Sequence, residues 1–182
     1  MIKYSIISIF IFFVANNSII GQKINNDENQ ILWSEKVKLK WSDFQGKPKP
    51  EESRGLTVAE TQGAINILNI VLINNLPQIT IGAFFIKNKS WTITKDTLAL
   101  QHEQLHFDIY ELYVRKIRKK FKELNEQNET NIQSYQDYYT KLVIESIKMQ
   151  ELYDSEVYFN DDMLRKWIAK IHKNLKLLDN YK

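Results

Sequence analysis

Two of the chain's three histidines stand four residues apart, in His102-Glu103-Gln104-Leu105-His106. Four helical residues turn through about 400°, so both imidazoles would leave one face, one turn apart, and could grip a single metal ion. Glu103 follows His102 by about 100°, within reach of a water on that ion, where a carboxylate serves as general base. H-E-x-x-H on a helix is the spacing of zinc sites that activate water.

The chemistry requires this face to be sheltered. Counting about 100° per residue from His102, Leu98, Leu105, Ile109 and Leu112 fall to one side and Ala99, Tyr110, Tyr113, Ile117 and Phe121 to the other. Gln104, Asp108, Glu111, Arg115 and Lys119 form the opposite stripe, expected to face solvent. The histidines are therefore expected to point inward, where unpartnered imidazoles and carboxylates are costly and a metal ion uses their lone pairs.

A catalytic zinc takes three protein ligands and a water. Glu111 lies about 180° from His102 and is a poor third ligand. His172 sits in a Lys-rich stretch and reads as a surface residue. In a later helix, Tyr139, Val143, Ile147, Tyr153 and Val157 mark an apolar face. Gln150 and Asp154 fall within that face, Glu145 and Glu156 point away, and Glu151 is marginal. Asp154 is thus the candidate third ligand. The alternative is that it bonds a histidine's second ring nitrogen and orients it.

The elements that must position these residues are legible in outline. Residues 37–41 alternate apolar and polar as a half-buried strand does. Residues 46–55, with two Pro and two Gly, read as a loop. Residues 64–73 and 79–86 are β-branched runs separated by Asn74-Asn75-Leu76-Pro77, which predicts an antiparallel hairpin. The second run is expected to lie at a sheet edge, where an extended peptide could pair with it. Thr94 or Asp96 caps a helix to about Leu124, a second helix covers residues 132–157, and Asn160-Asp161 opens a third ending near Leu178. Strands followed by helices predict an α+β domain: an N-terminal antiparallel sheet, then a bundle of three helices with H-E-x-x-H on the first.

Length and composition agree. A chain of 182 residues with 43% hydrophobic residues and four Trp fits one domain with a real core. The absence of Cys excludes disulfide scaffolds, Cys-type zinc fingers, thiol nucleophiles and a lipidated cysteine. The formal charge of +3, falling to +2 without Lys3, is too balanced to indicate nucleic acid. The Lys/Arg cluster over residues 116–122 reads as the solvated C-terminal end of a helix. Met1-Ile2-Lys3, an apolar run to Ala15, a break at Asn16-Asn17-Ser18 and Gly21-Gln22 read as a cleaved signal peptide. The expected organisation is a signal peptide over 1–21, a flexible lead-in over 22–30 and one domain over 31–182. The product would be secreted or periplasmic, with no membrane span after cleavage.

Four segments, in order, resemble a bacterial family: Leu39-Lys40-Trp41-Ser42-Asp43-Phe44-Gln45-Gly46, residues 84–91, Leu100-Gln101-His102-Glu103-Gln104-Leu105-His106-Phe107-Asp108, and Gln150-Glu151-Leu152-Tyr153-Asp154-Ser155-Glu156. The family is catalogued as domain of unknown function nine-two-two and labelled predicted secreted zinc-dependent proteases. The resemblance implies a zincin-like metallohydrolase domain, with His102 and His106 as zinc ligands, Glu103 as catalytic base, and Asp154 and Glu156 within a later motif. This chain departs from that motif at Val157, where the family has Thr, and at Phe159-Asn160, where it has His-Gly; Leu105 replaces a usual Gly.

The expected function is a secreted zinc-dependent hydrolase, a metallopeptidase acting on peptide or protein substrates, with Zn2+ held by His102, His106 and Asp154. Tyr110, Tyr113 or Tyr153 could donate to the oxyanion. The alternative is a non-catalytic envelope protein that keeps the fold, with a structural metal or none.

Overall fold

The computed structural model describes residues 28–48, 57–158 and 160–182. The expected signal peptide, most of the lead-in and most of the 46–55 loop lie outside these residues. The architecture is α+β: an antiparallel three-stranded sheet followed by three helices. In chain order the elements are β1 (Gln30–Leu32), a 3-10 turn (Trp41–Asp43), β2 (Ala59–Glu60), β3 (Gly63–Ile73), β4 (Leu76–Ile86), β5 (Trp91–Thr92), α1 (Thr97–Glu126), α2 (Ile132–Val157), α3 (Asp161–Leu177) and a second 3-10 turn (Asp179–Tyr181).

The predicted hairpin is β3–β4. Its turn is only Asn74-Asn75, at φ 51° and 63°, the left-handed region that Asn tolerates and that two-residue hairpin turns require. Ile73 pairs with Leu76, so Leu76 and Pro77 belong to the strand rather than the break. A register shift between Ile67 and Asn69 marks a bulge at Leu68.

Two expectations about strands are corrected. Residues 37–41 form no strand: Leu39 N–H donates to Gln104 Oε1 at 2.8 Å and Lys40 N–H to Asp43 Oδ2 at 2.8 Å. Side chains, not a neighbouring strand, satisfy this backbone, and the chain turns at Trp41. The strand over residues 79–86 is not an open edge either, because the sheet order is β1-β4-β3. β3 flanks β4 on one side. On the other, β1 pairs with residues 84–86, Trp33 N–H takes Ala83 O at 2.9 Å and Arg118 takes Ile81 O at 2.7 Å. The outer strands are β3 and the short β1. The short β2–β5 pair forms a separate ribbon beside the start of α1.

α1 is the axis of the domain. Over 30 residues, roughly 45 Å at about 1.5 Å per residue, it packs against β4, α2 and α3. Phe107 meets Phe85 of β4 at 5.9 Å, and Phe121 meets Tyr135 of α2 at 5.4 Å. Phe85 and Phe107 are fully buried, and truncating such a ring costs about 3–5 kcal/mol. Surrounded in this way, α1 has no solvent stripe along its middle. Asp108, Glu111 and Arg115 are each only 2% exposed, which corrects the expectation that they face water; Lys119 alone of the stripe is exposed. Among the described residues, no helix is long and apolar enough to cross a membrane.

Candidate metal centre

Helix caps set the position of the histidines. Asp96 accepts the Ala99 N–H at 2.8 Å and starts α1 at Thr97, which places His102 and His106 in its second and third turns. Asn131 starts α2 in the same manner, accepting from Gln133 N–H at 3.0 Å. α2 runs back along α1: Tyr135 lies on Phe121 near one end, while Gln150 and Asp154 reach His106 and His102 near the other. Two helices thus bring polar positions that lie 44 and 52 residues apart in the sequence face to face.

His102 Nε2, His106 Nε2 and Asp154 Oδ1 form a nearly equilateral triangle. Its edges are 3.0 Å between the rings, 3.1 Å from His102 to Asp154 and 2.9 Å from His106 to Asp154. Zinc bonds of about 2.0–2.1 Å in a tetrahedron separate ligand atoms by about 3.3 Å, so the triangle matches one tetrahedral face after a few tenths of an ångström of relaxation. Two imidazoles and a carboxylate are a zinc donor set, and these three residues are grouped as a potential cation site. The site is half open: His102 and His106 are 27% and 12% exposed at the side chain, and Asp154 is 57% exposed. Asp154 therefore lies at the mouth rather than inside, with one oxygen turned to both rings.

Gln150 sharpens the argument. Its Nε2 donates to His106 O at 3.1 Å, so its Oε1, 2.6 Å from His106 Nδ1, is the acceptor. His106 therefore carries a proton on Nδ1, and its neutral form turns a bare Nε2 lone pair toward Asp154. A lone pair and a carboxylate oxygen at 2.9 Å repel unless a proton or a cation stands between them. The His106 pKa reflects this: burial opposes charging, but the hydrogen bond and charge of Asp154, with Glu103 and Gln150, overcome it and push the value up to about 9. Burial acts to raise the Asp154 carboxyl, yet the two histidines hold it well below the usual carboxylate range.

Tyr153 forms the floor. Its ring stacks on His102 at 4.7 Å and meets His106 edge-on at 4.9 Å, and its hydroxyl donates to His102 O at 3.2 Å. Trp167 of α3 backs it at 5.4 Å. Glu103 is buried beside the histidines, with Oε2 bonded to nothing among the described residues. Burial raises its pKa, against the opposing charges of His106 and His102 and a contact from Thr61. The Thr61 hydroxyl also holds Glu103 O at 3.2 Å. Tyr110, on the turn after His106, lies flat on Gly63, where an added Cβ would stand 2.3 Å from its ring. Burial, offset by the Gly63 backbone and aided by the charges of Glu60 and Asp154, pushes its phenol up to about 12.

Of the residues singled out by sequence, the structure brings together His102, His106 and Asp154, with Glu103 adjoining them. It places Glu111 away from them, accepting from Arg115 Nε at 3.0 Å, and His172 on α3, 3.5 Å from Asp108. Glu156 accepts from Trp167 Nε1 at 2.8 Å, and Glu151 is exposed. Gln150 and Thr61 carry roles that sequence reasoning did not assign. The inward position of Gln150, one turn before Asp154, was its only signal. No protein-family model, curated protein or solved structure matches the chain.

Proposed function

We propose that the protein is a zinc-dependent hydrolase, most simply a metallopeptidase, in which His102, His106 and Asp154 hold the metal. One observation carries this reading: three potential ligand atoms converge within 3.1 Å of one another beside a buried carboxylate oxygen that has no partner among the described residues. Zinc at these ligands would supply Lewis acidity and bring the pKa of its water towards 7. Glu103 then accepts a proton and delivers it to the leaving amine, and its burial makes it a stronger base than an exposed glutamate. Gln150 holds His106 in the tautomer that offers Nε2. The three candidate tyrosines each have a neighbour already, Tyr153 donating to His102 O, Tyr113 lying under the Lys116 ammonium and Tyr110 meeting the Gly63 backbone, and any of them could donate to the oxyanion. Export as a secreted or periplasmic protein, directed by residues 1–21, belongs to the same proposal.

Glu103→Gln is expected to retain zinc at the wild-type ratio while cleavage of casein or a peptide library falls by about 10²–10⁴-fold. Equal cleavage by both forms would remove this mechanism. The rival reading, a non-catalytic envelope protein with a structural metal or none, draws on Phe159-Asn160 standing where the family motif has His-Gly. Zinc below about 0.1 per chain after gentle purification, unchanged in His106→Ala and Asp154→Ala, would favour the rival.

A further inference from the structure

The basic residues of α1 and α3 differ in what they face. On α1, Lys119 and Lys120 stand 4.0 and 3.4 Å from Glu123, Lys122 stands 3.5 Å from Glu126, and Lys116 lies over the Tyr113 ring. On α3, Arg165 pairs with Asp162 and Lys170 lies over Trp167. Lys166, Lys173 and Lys176 meet no carboxylate among the described residues, and all three are exposed. α3 carries five Lys/Arg against two Asp, a net +3 that equals the formal charge of the whole chain.

These charges share one face. With Arg165 at zero, Lys176, Lys173, Lys166 and Lys170 fall at about 20°, 80°, 100° and 140°. Leu164, Ile171, Leu175 and Trp167 occupy the opposite side and are buried in the core. The basic row therefore looks outward over about 16 Å, from Arg165 to Lys176. Leu177, 72% exposed, projects within it at about 120°. α3 exposes no Phe, Tyr or Trp ring for base stacking, only the His172 imidazole, which separates this face from a single-strand nucleic-acid surface. Three ammonium groups without a carboxylate partner among the described residues, beside the Arg165–Asp162 pair and with one apolar side chain among them, suit a headgroup layer, where cations meet lipid phosphates and a leucine reaches the acyl boundary.

We propose that the outer face of α3 docks the protein on an anionic lipid bilayer, as a peripheral contact independent of the metal centre. Each basic side chain near such a surface changes partitioning by roughly five-fold, so removing three lowers it by about a hundred-fold. The test is co-sedimentation of the full chain with phosphatidylcholine vesicles containing roughly 30 mol % phosphatidylglycerol, and with pure phosphatidylcholine vesicles. The wild type is expected to bind the anionic vesicles alone and to be released by salt. Lys166→Gln/Lys173→Gln/Lys176→Gln should lose binding by about a hundred-fold with unchanged circular dichroism, while Lys119→Gln/Lys122→Gln, which removes carboxylate-paired lysines, should bind as wild type. Failure to bind anionic vesicles, equal binding to both vesicle types, or an equal loss in both variants would overturn the assignment. So would binding to oligonucleotide or heparin with none to vesicles.

Discussion

α1 presents two polar groups to its neighbours, and they resolve their charges in opposite ways. On the face turned to α2, His102, His106 and Asp154 bring three potential ligand atoms to one point, with no donor from the other described residues aimed between them. On the face turned to α3, donors and acceptors match. Asp108 accepts from Trp33 Nε1 at 2.8 Å and Gln104 Nε2 at 2.9 Å, with His172 at 3.5 Å. Glu111 accepts from Arg115 and Arg118, and Arg115 also donates to Leu175 O at 2.7 Å and to Asp179. The second group is the more deeply buried, yet it needs nothing from outside. Burial of charge alone therefore does not identify a site in this molecule; the convergence of ligand atoms that no other described residue bridges does.

The largest effect should come from breaking the balanced face. Arg115→Ala strips Glu111 of its nearest cation and leaves Leu175 O with the Leu178 N–H alone. It is expected to cost about 3–5 kcal/mol in urea unfolding, with zinc per folded chain unchanged. Loss of zinc at full stability would show that the two faces are not separate.

The site face should respond to pH instead. In chelated protein, the elevated His106 pKa contributes stability that is complete below about 6.5 and disappears as pH rises through about 9. Between those values the folded chain binds the extra proton, so stability should fall with rising pH, by an amount of order 1–3 kcal/mol. His106→Asn should flatten that dependence. Zinc should reverse its sign, because the cation takes the place of the proton and binds more tightly as pH rises. A chelated protein whose stability is level from pH 6.5 to 9 would mean that Asp154 and His106 do not share a proton.

Gln150→Leu keeps the bulk but removes the acceptor at His106 Nδ1 and the donor to His106 O. Zinc affinity should fall by about 10–100-fold, and Gln150→Glu, which still accepts from Nδ1, should recover part of it. Wild-type affinity in both variants would reduce Gln150 to packing.

The contrast between the faces also explains which features the sequence disclosed. The starts of the first and third helices were readable because Asp96 and Asn160 each accept a backbone N–H three residues away; Asn131, which accepts from Gln133 N–H, was not singled out. The hairpin was readable from Asn74-Asn75 because Asn tolerates the left-handed backbone that a two-residue turn requires. His102, His106 and Asp154 were readable because each pair spacing is a helical turn or an apolar-face position. Angular counting failed on Asp108, Glu111 and Arg115, since it treats charge as a sign of water. Asp108 is met by Trp33, and Arg115, which also binds Glu111, by Leu175 O and Asp179; these distant partners come from the two ends of the domain and carry no mark in the local pattern. Residues 37–41 misled in the same way: their alternation is real, but their backbone partner is the Gln104 side chain, sixty-five positions away from Leu39.

The smallest effect tests whether the site face depends on local order. Asp96→Ala removes the acceptor for Ala99 N–H and should cost about 1 kcal/mol. That loss falls on the end of α1 carrying His102, whereas Gln104, Asp108, Glu111 and Arg115 are held from several directions by Leu39, Trp33, α3 and the chain's C-terminal turn. Amide exchange should therefore quicken over the first two turns of α1 and stay slow from Asp108 onward. Zinc should restore most of the protection, because ligation ties His102 to His106 and to α2. Uniform loss of protection along α1, unaltered by zinc, would mean that the two faces melt as one unit and that the metal centre has no local order of its own.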